Sequence, residues 1–165
     1  MEDGVIIRLK MMMEALMNNV KMNIWGRVFE LDIVFDALRD GTILDNQKKT
    51  LELFFKTNSS KIVNDNLEIN SITEIKGENV IETPIDKTKS LIEDYCLENA
   101  NEDIDIPITN IFKYVIPKYL YISRTKDETR RISLMCNFKF DMEHGLAIIF
   151  KNEEFEKIGE QGLVL

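Results

Sequence analysis

The stretch RRISLMCNFKFDMEHGLAIIFKN, Arg130–Asn152, decides the fold. Ile132, Leu134, Cys136, Phe138 and Phe140 fall at every second position and make one uniformly apolar face, which is the period of a strand. The DMEHG that follows has the chemistry of a turn. Asp141 can accept backbone N–H groups, His144 tolerates unusual φ better than most residues, and Gly145 supplies φ > 0. GLAIIFKN then reads as the returning strand. KYLYISR lies before this hairpin and EFEKIG after it, with TKDE as a further turn. The connections are too short for helical crossovers. The expectation is an antiparallel meander from about Lys118 to Ile158, packed against several helices in an α+β domain.

The same stretch holds one of two cysteines and the only histidine. A Cys136–His144 dyad is excluded by distance. At about 3.3 Å per residue, Cys136 lies roughly 13–20 Å from the hairpin tip, far outside hydrogen-bond reach. An apolar setting also raises a thiol pKa rather than activating it. Asp141, Glu143 and His144 remain as a conceivable metal site in the turn. A catalytic zinc wants three protein ligands in tetrahedral geometry, which one turn seldom supplies.

Working outward, IWGRVFELDIVFDA, Ile24–Ala37, reads as one strand. Val28, Glu30, Asp32 and Val34 alternate with Phe29, Leu31, Ile33 and Phe35. DNQKKTLELFFK predicts a helix capped by Asp45, with Leu51, Phe54 and Phe55 on one face. SSKIVNDNLEINSITEIKG is read as helix, although its β-branched residues and asparagines oppose that. DKTKSLIEDYCLENA predicts a helix capped by Asp86, with Leu91, Ile92, Tyr95 and Cys96 as its buried stripe. ITNIFKYVIP holds two helical turns between Pro107 and Pro117. Trp25, Phe29, Leu31, Phe138, Phe140 and Ile148 are the expected core.

Residues 5–20 place Leu9, Met12, Met13, Leu16, Met17 and Val20 at helical spacing. Six of the eight methionines lie at or before Met22. The division expected is an N-terminal amphipathic helix or extension over 1–21 and a single α+β domain over 22–165. The native start could itself be Met22.

The 165 residues suit one domain with a real core. With 44% hydrophobic and 30% charged residues the chain should be soluble and ordered. No apolar run approaches the roughly 20 residues of a membrane helix. The acidic N-terminus, interrupted by Arg8, Lys10 and Glu14, does not read as a signal peptide. A cytoplasmic protein with two free buried thiols, Cys96 and Cys136, is expected.

The formal charge of −8 is unevenly spread, because residues 59–105 carry twelve acids and four bases. That sign argues against a nucleic-acid or membrane-surface binder. A solvated face has the same composition. A calcium-loop reading of Asn99, Asn101, Asp103 and Asp105 breaks down, since Ile104 stands where the glycine is needed and Asn110 where the glutamate is. The chain has no Gly-rich phosphate loop, GxSxG, HExxH or CxxC. Neither a catalytic set nor a cofactor nor a metal site is expected.

NIFKYVIPKYLYISR, CNFKFDMEHGLAIIF and EKIGEQG, with WGRVFELDIVFD and DNQKKTLELF before them, resemble a bacterial domain family of unknown function over roughly Met22–Leu165. The layout is similar to that of small acidic α/β proteins encoded beside polymorphic toxins, which act as immunity proteins. The resemblance implies a non-catalytic interaction protein and carries over no catalytic positions. A basic protein partner, such as a toxin domain, is expected to dock on Asp65, Glu68, Glu74, Glu78, Glu93, Asp94, Glu98 and Asp103. The alternative is a small metal-binding or hydrolytic enzyme using the Asp141–His144 turn.

Overall fold

The computed structural model describes residues 19–36, 42–56 and 83–165. Six strands form one sheet in chain order: β1 (Asn19–Ile24), β2 (Arg27–Phe35), β3 (Val115–Ile122), β4 (Arg131–Phe138), β5 (Leu146–Lys151) and β6 (Glu154–Gly159). The helices are α1 (Asp45–Lys56) and α2 (Lys89–Asn99), the latter entered through a 3-10 turn at Pro84–Thr88. Further 3-10 turns lie at Ile111–Lys113 and Gln161–Leu163.

The fold is therefore α+β, and the β3–β6 meander is antiparallel throughout, as the hairpin spacing predicts. Two corrections follow. The sheet is mixed and larger than that meander, because β2 pairs in parallel with β3, Asp32 opposite Tyr119 through Phe35 opposite Ile122. Parallel neighbours need a long crossover, and residues 36–114 supply it. The helices are also few: α1 and α2 among the described residues.

The strand expected over Ile24–Ala37 is instead the end of one strand, a two-residue turn and a second strand. Ile24 pairs with Arg27 across Trp25 and Gly26, which have φ of 50° and 90°. Positive φ at both central residues gives a hairpin whose twist suits the flanking strands. Trp25 is held in that uncommon conformation from three sides. Its indole Nε1–H donates to Ile85 O and Thr88 Oγ1, each at 3.1 Å, and its backbone N–H donates to Asp86 Oδ1 at 3.1 Å. Asp86 thus ties the 3-10 turn to the hairpin and does not cap α2, as had been expected. Similarly, Asp45 is the first helical residue of α1, not its cap. The carbonyl of Leu44 accepts from Lys48 N–H, and the Gln47 side chain accepts from Leu44 N–H.

Residues 5–18 of the expected first helix, and the helix expected over 59–77, lie outside the described residues. Asn19 and Val20 belong to β1. Met22 is fully buried in the middle of that strand. The two helical turns expected before Pro117 reduce to Ile111–Lys113. Pro117 itself lies in β3, beside a register shift between Pro117 and Tyr119 that relieves its missing donor.

One face of the sheet carries the main core. Met22, Ile24, Leu31, Leu120, Ile132, Leu134, Cys136, Ile148 and Phe150 pack against Leu51, Phe54 and Phe55 of α1 and Ile92 and Cys96 of α2. Leu91, placed in the buried stripe of α2 by periodicity, is 41% exposed, and Tyr95 is half-buried against Phe138. The remaining expected core residues are buried, with Phe29 only half so. Gln47 is fully buried and satisfied: its Nε2 donates to Asp36 O at 3.0 Å and Ile122 O at 3.2 Å, joining α1 to the ends of β2 and β3.

Candidate functional site

Of the eight acids expected to meet a partner, Asp65, Glu68, Glu74 and Glu78 lie outside the described residues. Asp94, Glu98 and Asp103 are exposed. Asp94 and Glu98 stand one turn apart on α2, so their side chains share a side of the helix. Glu93 was expected beside them in solvent. It is half-buried instead, close enough to Cys96 to help burial push that thiol up to about 11. Leu91 and Leu97 are exposed on the same helix at 41% and 39%.

The neighbouring acids behave differently. Glu102 pairs with Lys139 at 3.0 Å and Asp105 with Lys113 at 3.0 Å. Among the described residues, Glu93, Asp94, Glu98 and Asp103 make no ion pair. In the loop after α2 the amide groups are used by the fold. Asn99 Nδ2 donates to Tyr95 O, and Asn101 Nδ2 donates to Phe140 O, so those side chains serve the fold separately.

The Asp141–His144 turn is built as the sequence predicts. His144 N–H donates to Asp141 Oδ1 at 3.2 Å, and Gly145, with φ of 65°, donates its N–H to Asp141 O at 3.0 Å. A Cβ on Gly145 would stand 3.0 Å from Cys136 O and closer still to the Gln161 side chain. Gln161 explains the crowding. Its N–H donates to His144 O at 3.1 Å and its Nε2 to Cys136 O at 3.0 Å, which clasps the hairpin with the C-terminal segment.

That clasp brings in a residue sequence reasoning missed. The ligand-type atoms of Asp141, His144 and Glu160 all lie within 4.8 Å of one another. Glu143, the third ligand of the alternative metal reading, is not in this group. Glu160 was hidden because it lies beyond β6, whose end Gly159 pairs with Ala147 at the start of β5 and so returns to the turn. His144 Nδ1 sits 3.0 Å from both Asp141 carboxylate oxygens. This hydrogen bond, followed by the charges of Asp141, Glu160 and Glu143, raises the imidazole pKa above its ordinary value. The Tyr95 hydroxyl is raised too, by burial first and then by the charges of Glu160 and Asp141.

Both thiols are poor nucleophiles. Cys136 is wholly buried, and desolvation moves its pKa strongly upward, as it does less strongly for Cys96. Among the described residues, no helix is long and apolar enough to cross a membrane.

No curated protein and no solved structure matches the chain. Residues 10–165 match the family described as "Domain of unknown function (DUF6985)", which takes in every described strand and helix. The chain belongs to the DUF6985 family.

Proposed function

We propose that this domain is a non-catalytic binding module, immunity-like, that docks a basic protein through the outer side of α2 and the loop after it. One observation carries the reading: Asp94, Glu98 and Asp103 are exposed and make no ion pair among the described residues, while Glu102 and Asp105 beside them have their own lysines. Unneutralised like charges repel one another, and an incoming cationic surface relieves that repulsion. The exposed Leu91 and Leu97 supply apolar contact among those charges. The raised pKa values of both thiols argue against nucleophilic chemistry here.

The test starts with affinity capture from the native host, using wild type and an Asp94→Lys, Glu98→Lys, Asp103→Lys triple variant. Association kinetics with the captured protein are then measured at two salt concentrations. The reading requires wild-type association to slow as salt rises, since exposed charges are screened over about 8–10 Å. It also requires the triple variant to associate more slowly at low salt. Equal rates for the two proteins would sink it.

A second reading is favoured by Glu160, which completes a His–Asp–Glu group with the turn. Such a group could hold a divalent cation and support hydrolysis. A cation there competes with the imidazole's proton, which the Asp141 hydrogen bond helps to retain. Zinc titration by calorimetry separates the readings: saturable binding lost in Glu160→Gln favours the metal site.

A further inference from the structure

On the sheet face turned away from α1 and α2, a pocket of about 170 Å³ opens between β4, β6, the β3–β4 connection and the C-terminal turn. Three buried side-chain atoms among the described residues have no hydrogen-bond partner: Arg131 Nε, Ser133 Oγ and Glu156 Oε2. All three residues line this pocket. Ser133 is wholly buried. Buried polar groups are nearly always satisfied, so three orphans around one cavity indicate a missing partner.

The backbone places them there. Ile149 pairs with Lys157, but Phe150 pairs with Phe155, so Glu156 is an extra residue in β6. A bulge re-aims the side chain it carries. Here it sets Glu156 Oε1 3.2 Å from Arg131 Nη2. That contact uses one oxygen and one nitrogen, and leaves Glu156 Oε2 and Arg131 Nε without a partner. Arg124 and Lys157 add two positive charges to the lining. With Arg131 against Glu156, the pocket is net positive in a chain of formal charge −8. Ile149, Leu163 and Val164 provide an apolar wall.

We infer that this pocket binds a small hydroxycarboxylate. Its carboxylate accepts from Arg131 Nε–H and the Ser133 hydroxyl, and its hydroxyl donates to Glu156 Oε2. The cations set the sign of the ligand, and the volume limits it to a few heavy atoms. This site is separate from the α2 surface and does not depend on it.

The test is an NMR titration of the full chain with glycolate, acetate and ethylene glycol, followed through the amides of Ser133, Ile149 and Val164. Glycolate should give saturable shifts. Acetate lacks the donor and should bind about fivefold more weakly, the worth of about one hydrogen bond. Ethylene glycol lacks the charge and should not saturate. Ser133→Ala and Lys157→Gln should each weaken glycolate about fivefold or more while keeping native amide dispersion. Two variants are used so that misfolding of one leaves the other decisive. The inference is overturned by unsaturable glycolate shifts, by ethylene glycol matching glycolate, or by folded variants that bind as wild type does. Any of these would mean the orphaned atoms are met by water.

Discussion

The two faces of the sheet solve opposite problems. On the face under α1 and α2 the core is apolar, and among the described residues the buried polar side chains Gln47, Thr50, Thr83 and Thr88 all have hydrogen-bond partners. On the other face, among the described residues, Met135, Ala147 and Ile149 form a small apolar cluster with Tyr119, Tyr121 and Val164 packed against it. Beside that cluster lie the unpartnered atoms of Arg131, Ser133 and Glu156. Alternate residues of the same strand, β4, serve both: Ile132, Leu134 and Cys136 face one side, Ser133 and Met135 the other. The difference teaches that stability is concentrated on one face and unsatisfied binding capacity on the other. Mutations on the two faces should therefore differ in sign as well as in size.

The largest expected effect is on the helical face. Phe150 is fully buried, edge-on to Phe54 of α1 at 5.2 Å and to Phe155 at 6.3 Å. Phe150→Ala should cost about 3–5 kcal/mol by denaturant titration. A loss below about 1 kcal/mol would mean that α1 does not seal this face.

Next comes the turn that attaches β6, the strand carrying Glu156 and Lys157. Asn152 and Glu153 have φ of 50° and 68°, a conformation that costs a non-glycine residue energy. Arg130 holds it: Nε and Nη2 each reach a Glu153 carboxylate oxygen at 2.9 Å, and Arg130 and Asn152 exchange two further bonds. The two side chains are 22% and 14% exposed, so this pair is worth more than a surface ion pair. Arg130→Ala should cost about 1–3 kcal/mol. It should speed amide exchange in β6 more than in β4, and a uniform change in exchange would contradict the local role given to this turn.

On the open face the sign reverses. Ser133→Ala removes a buried hydroxyl that has no partner, so ligand-free stability should hold or rise by up to about 1 kcal/mol. A loss above about 1 kcal/mol would show that the hydroxyl is already satisfied, and the contrast between the faces would weaken with it.

How much of this was legible in the sequence follows from how local each signal is. The meander from β3 to β6 was readable because alternation and turn residues lie within one hairpin of each other. The α2 surface was partly readable, since Asp94 and Glu98 follow helical spacing, whereas the burial of Glu93 depends on what packs against α2. The β1–β2 turn was not readable, because Trp25 at positive φ is stabilised by Ile85, Asp86 and Thr88, far along the chain. The parallel β2–β3 pairing left no local mark either. Nor did the pocket, which needs a bulge at Glu156 to face an arginine two strands away. Glu160 beside His144 is the same kind of case, brought round by β6.

The smallest effect is a pH dependence at the rim between the faces, where the C-terminal segment meets the hairpin. His144 is exposed, and its pKa in the folded chain lies above the unfolded value of about 6.5, chiefly through the hydrogen bond to Asp141. A raised histidine pKa means that the folded state holds the proton more tightly. Its stabilising contribution is therefore fully present below the unfolded pKa and is lost as pH rises through the folded one. His144→Asn retains tolerance of the turn's backbone but removes the charge. The Tm advantage of wild type over this variant should be greatest at about pH 6 and below, where the imidazole is protonated. It should shrink by about pH 9. An advantage that does not change with pH would mean that His144 contributes only turn geometry, and that the carboxylates around it hold no imidazolium.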